Sequence, residues 1–310
     1  MTVYRPNGCV LLPTIVFAID DAYCLPLTVA WQSLCSTNKR LIPSLDLVVL
    51  YEELTAATLA RLAFHASRLG LRMTTVRATL PELAYNTEYG GQTANYLRLA
   101  IPEALPGRSR VLYLDADVVI DADLTPLLYA DLNGMPLGAV RDPVNPTYEL
   151  GHAFPGWKEL GIPGDREYFN SGVLVIDLAA ADRENLFPRA FEVVAGHAAQ
   201  LRLWDQDALN VAAAGRWHRL PTRWNTAPLS ALTRTPWIRY RAEHLVPLAD
   251  LIAAEAQAAI VHYVSPSKPW LGLLPSGPAS ELFQRHADAV LAAEQVHDSG
   301  FPTQRKDRVS

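Results

Sequence analysis

Residues 110–117 read Arg-Val-Leu-Tyr-Leu-Asp-Ala-Asp, an apolar run that ends in two carboxylates. Three similar runs, rich in β-branched and apolar side chains, precede it at residues 14–19, 45–51 and 71–77. Between the last two of these, residues 55–69 place apolar side chains at helical spacing, with Thr55 as a plausible N-terminal cap. Apolar strands that alternate with helices predict an α/β fold, in which a mostly parallel sheet is covered on both faces.

Carboxylates follow the strands at the edge where such folds bind ligands, beyond the carboxyl ends of the strands. Asp20 and Asp21 follow the first run, and Asp115 and Asp117 follow the fourth. Residues i and i+2 of an extended chain point to the same face, so Asp115 and Asp117 can reach one cation. Hard oxygen ligands select Mg²⁺ or Mn²⁺, which would neutralise a diphosphate leaving group. The alternative is a pair of solvated turn residues.

Two further Asp-x-Asp triplets show that the spacing alone is weak evidence. The triplet at residues 121–123 precedes a loop that enters a short helix, where we expect Asp123 to act as a cap. The triplet at residues 205–207 opens the helical run 208–214, where carboxylates complement the positive end of the helix dipole. Only the triplet at residues 115–117 directly ends an apolar strand, which favours it as the metal site.

A third candidate ligand, His262, lies in the segment Val-His-Tyr-Val-Ser-Pro-Ser-Lys-Pro-Trp of residues 261–270. A lone histidine after an apolar residue is more often structural than a metal ligand. Pro266 and Pro269 restrict the backbone and could hold Lys268 in a fixed direction. Lys268 would then be a point charge for phosphate, and the alternative is a plain surface lysine.

Composition narrows the classes of function. The chain has 310 residues, of which 50% are apolar and 19% charged, as expected for one large α/β domain with appendages. The net charge of −5 argues against a nucleic-acid binder, which needs a basic surface, and leaves at most peripheral contact with a membrane.

The lack of a recognisable targeting signal and the pattern of the cysteines predict a cytoplasmic protein. The most apolar early stretch, residues 10–19, is about ten residues long, against roughly 20 for a membrane-spanning helix. It also lacks the basic start and the cleavage site of a signal peptide. The cysteines are odd in number, without metal-type spacing, and typical of a reduced protein; they are Cys9, Cys24 and Cys35.

In their order along the chain, six stretches resemble the retaining nucleotide-sugar glycosyltransferases of glycosyltransferase family 8. Members of that family include bacterial lipopolysaccharide galactosyl- and glucosyltransferases. The stretches are residues 17–23 (Phe-Ala-Ile-Asp-Asp-Ala-Tyr), 96–99 (Tyr-Leu-Arg-Leu), 111–118 (Val-Leu-Tyr-Leu-Asp-Ala-Asp-Val), 168–174 (Tyr-Phe-Asn-Ser-Gly-Val-Leu), 204–210 (Trp-Asp-Gln-Asp-Ala-Leu-Asn) and 262–270. Together they cover roughly residues 14–270, and their joint occurrence is specific although no single one is.

The resemblance implies a fold and a domain organisation. The fold would be a single-domain, Rossmann-like nucleotide-sugar transferase fold of the GT-A type, with a mostly parallel central sheet and helices on both faces. The catalytic domain would span residues 1–275, with a nucleotide-binding half at about 10–130 and an acceptor half at about 131–275. Residues 276–310 are then a C-terminal helical appendage followed by a polar tail.

The resemblance also implies a role for each matching residue. The metal set would be Asp115, Asp117 and His262, with Mn²⁺ as the usual ion of the family and Mg²⁺ as the alternative. The residues implied to contact the nucleotide sugar are Asp20, Asp21, Tyr23, Arg98, Asp142, Asp205, Ser265 and Lys268. Those implied around the reacting anomeric centre are Gln206, Asp207 and Asn170.

The residues themselves leave simpler interpretations open. Arg98 could pair with a surface acid, and Tyr23 could be a core residue. Asn170 could belong to a turn between strands, and Gln206 could be an ordinary polar residue at the start of a helix.

Two positions depart from the family pattern. The bacterial galactosyltransferases have Asn where this chain has Ala22, which removes one contact to the nucleotide. The histidine segment usually carries Gly where this chain has Ser265, which removes the freest approach of the backbone to the diphosphate.

The implied reaction is transfer of a hexose, galactose or glucose, from a UDP-sugar to a hydroxyl of a glycan or glycolipid acceptor, with retention at the anomeric carbon. Its setting would be the synthesis of lipopolysaccharide or another surface polysaccharide, at the inner face of the membrane. Because an amide, Gln206, stands at the key position and Asp207 is the nearest carboxylate in sequence, front-face attack is favoured over a covalent intermediate. The alternatives are a non-catalytic nucleotide-sugar or glycan-binding module and a UDP-sugar hydrolase.

Overall fold

The computed structural model describes residues 12–85 and 93–299. The strands are β1 (Thr14–Ala18), β2 (Asp46–Tyr51), β3 (Arg72–Arg77), β4 (Arg110–Leu114), β5 (Val118–Ile120), β6 (Leu137–Arg141), β7 (Phe169–Asp177), β8 (His218–Arg219) and β9 (Ile260–His262). The helices are α1 (Cys24–Thr37), α2 (Ala56–Leu69), α3 (Ile101–Ala104), α4 (Thr125–Leu128), α5 (Leu178–Arg183), α6 (Leu186–His197), α7 (Trp204–Ala213), α8 (Leu229–Leu232), α9 (Leu248–Ala254) and α10 (Pro278–Ser299).

Seven strands form one sheet in the order β3-β2-β1-β4-β7-β6-β8. The pairings of β1 with β2 and β4, of β2 with β3, and of β6 with β8 are parallel. Strand β7 runs antiparallel to both of its neighbours. The predicted α/β fold with a mostly parallel sheet is therefore confirmed, and the antiparallel strand β7 lies inside it, between β4 and β6.

Successive residues of β1 enter two different hydrophobic cores, which shows that both faces of the sheet are covered. Ile15 and Phe17 pack in one cluster with Trp31 of α1. Val16 faces the other cluster, together with Phe169 at the start of β7. Such double burial explains the continuous apolar composition of the first strands, because neither face meets water.

Local signals set the ends of several helices, and the cap predicted at Thr55 is confirmed. Helix α2 begins after Thr55, whose Oγ1 accepts a hydrogen bond from the backbone N of Thr58 at 3.3 Å. It ends at Gly70, which adopts the left-handed conformation (φ 67°). Asp123 accepts a bond from the backbone N of Thr125, the first residue of the short α4, at 2.9 Å, while the cap position itself is Leu124. Helix α7 begins at Trp204, four residues before the predicted start.

A two-stranded ribbon of β5 and β9 stands beside the main sheet. In its antiparallel register His262 lies opposite Val118, the residue that follows Asp117. On its other side, the backbone N of His262 donates to Thr226 O at 2.9 Å. This ribbon carries the histidine to the carboxyl end of β4.

The C-terminal helix predicted after residue 276 is α10, and it packs on the rest of the fold. Phe283 and Val290 are buried in the core formed with the ribbon. Glu294 binds α2 through Arg61 Nε at 2.5 Å and His65 Nε2 at 2.7 Å. The predicted polar tail, residues 300–310, lies outside the described residues.

Two observations bear on the expectations about membranes and cysteines. Among the described residues, no helix combines the length and the apolar character that crossing a bilayer requires. Cys24 and Cys35 carry free thiols, and Cys9 lies outside the described residues.

Candidate active site

The side chains of Asp115, Asp117 and His262 meet at the carboxyl end of β4. Each offers one ligand atom, and the three atoms lie within 4.8 Å of one another. His262 Nε2 lies 3.3 Å from Asp117 Oδ1 and 3.6 Å from Asp115 Oδ2. Two carboxylates and an imidazole that converge in this way form a donor set that fits Mn²⁺ or Mg²⁺.

Gly172 of β7 makes the space that this convergence needs. A Cβ atom at this position would lie 2.2 Å from His262 Cε1 and 2.7 Å from Asp115 Oδ2. The carbonyl of Gly172 also accepts a hydrogen bond from the backbone N of Asp115 at 2.8 Å. Strand β7 therefore packs directly against His262 and Asp115, and only glycine allows that approach.

Lys268 compensates the charge of Asp117. Its Nζ lies 2.6 Å from Asp117 Oδ2 and donates to the carbonyl of Tyr263 at 2.6 Å. Burial acts to raise the pKa of Asp117, but the ammonium of Lys268 and the neighbouring His262 outweigh it and hold the pKa below the usual range. Asp117 is therefore kept ionised, as a metal ligand must be.

Arg98 links Asp115 to Asp205. Its Nη2 lies 2.8 Å from Asp115 Oδ1, and its Nε lies 2.8 Å from Asp205 Oδ2. Arg98 is 6% exposed, and its guanidinium also donates to the carbonyl of Ser171 at 2.7 Å. Burial raises the pKa of Asp205 to about 7, although Arg98 acts to lower it. The partners of Arg98 are thus the half-buried Asp115 and the buried Asp205, and not a surface acid.

The carboxylate of Asp142 holds the amides of Asn170 and Gln206. Its Oδ2 accepts from Asn170 Nδ2 at 3.2 Å and from Gln206 Nε2 at 3.1 Å. Gln206 Oε1 in turn accepts from the backbone N of Ser171 at 3.0 Å. Asn170 lies within β7 and not in a turn. The residues implied around the anomeric centre therefore meet, with the exception of Asp207.

Asp207 lies apart from these groups and accepts hydrogen bonds in another part of the protein. Its Oδ1 accepts from Phe154 N and Tyr168 Oη, at 3.0 and 2.6 Å. Its Oδ2 accepts from Arg202 N and Leu203 N, at 2.7 and 2.8 Å. The side chain is fully buried. These four donors anchor the start of α7, so the structure gives Asp207 a structural position.

The structural position of Asp207 predicts a loss of stability in Asp207→Asn. An amide in place of the carboxylate turns one acceptor into a donor, so at least one backbone N–H loses its partner. We expect the free energy of unfolding to fall by about 2 kcal/mol in chemical denaturation. The exposed Asp165→Asn is the control and should change stability by less than about 0.5 kcal/mol. Unchanged stability together with lost turnover would instead indicate a catalytic carboxylate.

The acids after β1 take different positions. Asp20 Oδ1 accepts from the backbone N of Tyr23 at 3.2 Å, beside the site. Asp21 is exposed, and its Oδ1 binds the N and Oγ1 of Thr55 at 3.0 and 2.9 Å. Asp21 thus links this loop to the start of α2, and its contact with the nucleotide sugar stays a prediction.

Tyr23 connects the loop after β1 to the histidine segment. Its ring packs edge-on against Trp270, with 5.7 Å between the ring centroids. Burial, and then the carboxylates of Asp117 and Asp115, raise the pKa of its hydroxyl far above the usual range. The phenol is half-buried and remains neutral near the cluster, where a nucleotide base could stack or form a hydrogen bond.

Ser265 adopts a backbone conformation that favours glycine, with φ at 81°. Its Oγ accepts a bond from the backbone N of Ser267 at 3.2 Å. The position where the family usually carries Gly therefore keeps the glycine conformation, at a cost in strain.

This strain predicts that Ser265→Gly is more stable than Ser265→Ala by about 1 kcal/mol. Both variants lose the bond to Ser267, so they differ only in the Cβ atom. The control is Ala60→Gly on the exposed face of α2, which should have the opposite sign and cost about 1 kcal/mol. Urea unfolding of the three variants measures both differences, and equal stability of the two Ser265 variants would contradict the strain.

Sequence reasoning missed Asn225, Ser171 and Gly172 as residues that shape the site. Asn225 Oδ1 lies 2.9 Å from His262 Nδ1. Ser171 supplies the backbone N and O that bind Gln206 and Arg98. No periodicity or motif marks Asn225, which follows an aromatic residue in an irregular segment.

Known proteins show the same fold and family. The profile described as Glycosyl transferase family 8 matches residues 14–273. The chain is 28% identical over 182 residues to General stress protein A of Bacillus subtilis (strain 168), covering 57% of this chain and 59% of that protein. It is 26% identical over 258 residues to lipopolysaccharide 1,2-glucosyltransferase of Escherichia coli (strain K12), covering 83% of this chain and 72% of that one.

A solved structure agrees with the family profile and with these relatives. The galactosyltransferase LgtC, in complex with donor and acceptor sugar analogs, superposes with a TM-score of 0.67 at 25% identity, covering 89% of this chain and 95% of LgtC. The GT-A type of fold implied by the resemblance is confirmed by this superposition. The family profile spans the cluster of Asp115, Asp117 and His262, and on that evidence the chain belongs to glycosyl transferase family 8.

Proposed function

We propose that the protein transfers a hexose, galactose or glucose, from a UDP-sugar to a hydroxyl of a glycan or glycolipid, with retention and with a divalent metal ion. The observation that carries the proposal is the continuity of the site. The cluster of Asp115, Asp117 and His262 is joined through Arg98 and the start of β7 to Asp142, Asn170 and Gln206.

Asp115, Asp117 and His262 would hold the ion, Mn²⁺ by analogy with the family and Mg²⁺ as the alternative. When bound, the ion supplies charge neutralisation of the diphosphate. Arg98 keeps Asp115 oriented, because its guanidinium is fixed at both ends by acids and by Ser171. Asp115 therefore presents its second oxygen, Oδ2, toward His262.

Lys268 would bind the departing diphosphate. The ammonium of Lys268 is paired with Asp117 at the edge of the cluster. Because the side chain is flexible, the ammonium can turn from Asp117 to a phosphate oxygen. A positive charge held beside the cluster favours the state in which negative charge has moved onto the leaving group. The segment that carries Lys268 is braced by Trp270 against Tyr23, so binding of the base and of the phosphates would be linked.

Front-face attack is the mechanism that the carboxylates support. A covalent intermediate needs a carboxylate free to attack the sugar. Asp207 accepts four hydrogen bonds away from the site, and Asp205 is paired with Arg98. Asp142 is occupied by the amides of Asn170 and Gln206. These amides would instead orient the sugar while the acceptor hydroxyl enters on the side of the leaving group.

The acceptor class rests on the relatives. One relative is a lipopolysaccharide 1,2-glucosyltransferase, and LgtC is a galactosyltransferase. We therefore propose lipopolysaccharide or another surface polysaccharide as the product, made in the cytoplasm with at most peripheral contact with the membrane.

The deciding experiment measures UDP release from UDP-glucose, UDP-galactose and UDP-N-acetylglucosamine, with Mn²⁺ or with chelator, and with or without a glycolipid acceptor. Release that needs both metal and acceptor supports the transferase. Release with metal alone would indicate a UDP-sugar hydrolase, and tight donor binding without turnover would indicate a binding module.

A further inference from the structure

Asn225 lies between His262 and Asn170 and contacts both. Its Oδ1 lies 2.9 Å from His262 Nδ1, and its Nδ2 lies 2.8 Å from Asn170 Oδ1. The residue is 3% exposed. Its position is determined by the backbone, because the next residue, Thr226, bonds to β9 through Ile260 O and His262 N, each at 2.9 Å.

The backbone fixes which atoms donate and which accept in the contacts of Asn225 with Asn170 and His262. The backbone N of Gly172 donates to Asn170 Oδ1 at 3.0 Å, and a backbone N–H can only donate. That amide oxygen must therefore face Asn225 as an acceptor, so Asn225 presents its NH₂ group to it. The oxygen of Asn225 is left facing His262, and a carbonyl oxygen can only accept. A proton of His262 must therefore lie on Nδ1.

The hydrogen bonds at Asp142 agree with these donor and acceptor assignments. Asn170 Nδ2 and Gln206 Nε2 both donate to Asp142 Oδ2. The orientation of Gln206 is set independently, because its Oε1 accepts from the backbone N of Ser171. Donors and acceptors thus alternate without conflict from the imidazole of His262 to the carboxylate of Asp142.

We infer that Asn225 is a positioning residue that holds His262 in its Nδ1–H tautomer, so that the Nε2 lone pair faces the carboxylates of Asp115 and Asp117. A histidine ligand needs its free nitrogen directed at the cation, and a fixed partner on the other nitrogen supplies that direction. The inference rests on the proposed metal site. It adds that Asn225 connects the proposed metal ligand His262 to Asn170, and through Asn170 to Asp142.

The first test is the affinity for Mn²⁺ alone, measured from the electron paramagnetic resonance signal of the free ion. Asn225→Leu keeps the branched shape of the side chain but offers no acceptor, so we expect Mn²⁺ binding to weaken by at least about tenfold. The control is Asn38→Leu. Asn38 is equally buried and bonds to Leu124 N and Ala122 O, and its replacement should leave the affinity unchanged.

Asn225→Asp separates the acceptor role from packing. A carboxylate still accepts from His262 Nδ1 but can no longer donate to Asn170, so Mn²⁺ affinity should stay near that of the wild type. The Michaelis constant for the donor sugar should rise, because the link to Asn170 and Asp142 is lost. Equal weakening of Mn²⁺ binding in the Asp and Leu variants would overturn the acceptor role.

A spectroscopic readout tests the tautomer itself. With ¹⁵N-labelled histidine and ¹¹³Cd²⁺ as the probe ion, we expect the metal coupling on His262 Nε2 and a slowly exchanging proton on Nδ1. In Asn225→Leu that proton should lose its protection. A proton on Nε2 in the wild-type protein would overturn the inference.

The outcomes also separate the inference from the proposed function. Wild-type protein that binds neither Mn²⁺ nor Cd²⁺ would remove the metal site and the inference with it. Wild-type binding that is matched by Asn225→Leu would remove the inference alone.

Discussion

Asp117→Asn should bind Mn²⁺ far more weakly and lose nearly all transferase turnover, while it remains folded. The side chain keeps its size, and its Oδ1 can still accept from Lys268, so the core of the fold is not disturbed. Loss of a charged metal ligand removes several kcal/mol of stabilisation of the departing diphosphate. At about 1.4 kcal/mol for each factor of ten, turnover should fall by at least about 100-fold.

The measurement is the rate of UDP release at saturating Mn²⁺, with circular dichroism as the check on folding. Asp121→Asn is the matched control, because Asp121 belongs to another Asp-x-Asp triplet and is exposed. Its turnover should remain close to that of the wild type. A rate for Asp117→Asn within about tenfold of the wild type would contradict the metal site.

Gly172→Ala should have an effect of similar size through geometry alone, without removing any ligand. The added methyl group would overlap His262 Cε1, at 2.2 Å, and Asp115 Oδ2, at 2.7 Å. Neither neighbour can yield easily. His262 is held by Asn225 and the ribbon, and Asp115 is held by Arg98. We expect Mn²⁺ affinity to fall by at least about tenfold and stability to fall by about 1–3 kcal/mol.

Titration with Mn²⁺ and chemical denaturation measure the two effects. The control is Gly196→Ala in α6, where an added Cβ meets nothing within 4 Å. Because alanine is the better helix former, this control should gain up to about 1 kcal/mol of stability. Wild-type metal affinity in Gly172→Ala would show that the cluster does not depend on the close approach of β7.

The local part of the fold could be predicted from the sequence because it depends on neighbouring residues. Apolar runs bounded by polar residues marked the first four strands, and Thr55 and Asp123 marked helix starts by bonds to backbone groups two or three residues away. The continuous apolar character of β1 also indicated a sheet buried on both faces. The carboxylates at the ends of strands could be located for the same reason, since strand ends are local features.

The sequence alone favours Asp115 and Asp117 as metal ligands, but His262 could be joined to them only through the resemblance to the family. Asp115 and His262 meet because β9 pairs with β5, and such pairing between distant segments leaves no periodicity in the chain. Asp207 shows the limit of sequence position. It lies next to Gln206, but neighbouring residues on a helix point in different directions, and its carboxylate faces Phe154 and Tyr168 instead of the site.

The sequence by itself determined the class of fold, the strands with their terminal acids, and the helix caps, because each follows from side chains within a few residues of one another. Only the tertiary structure decided which of those acids form one site. It also decided that Gly172 must lack a side chain and that Asn225 must orient His262. Both requirements come from contacts between β7, the segment before β9 and β9 itself, and such contacts exist only after the chain has folded.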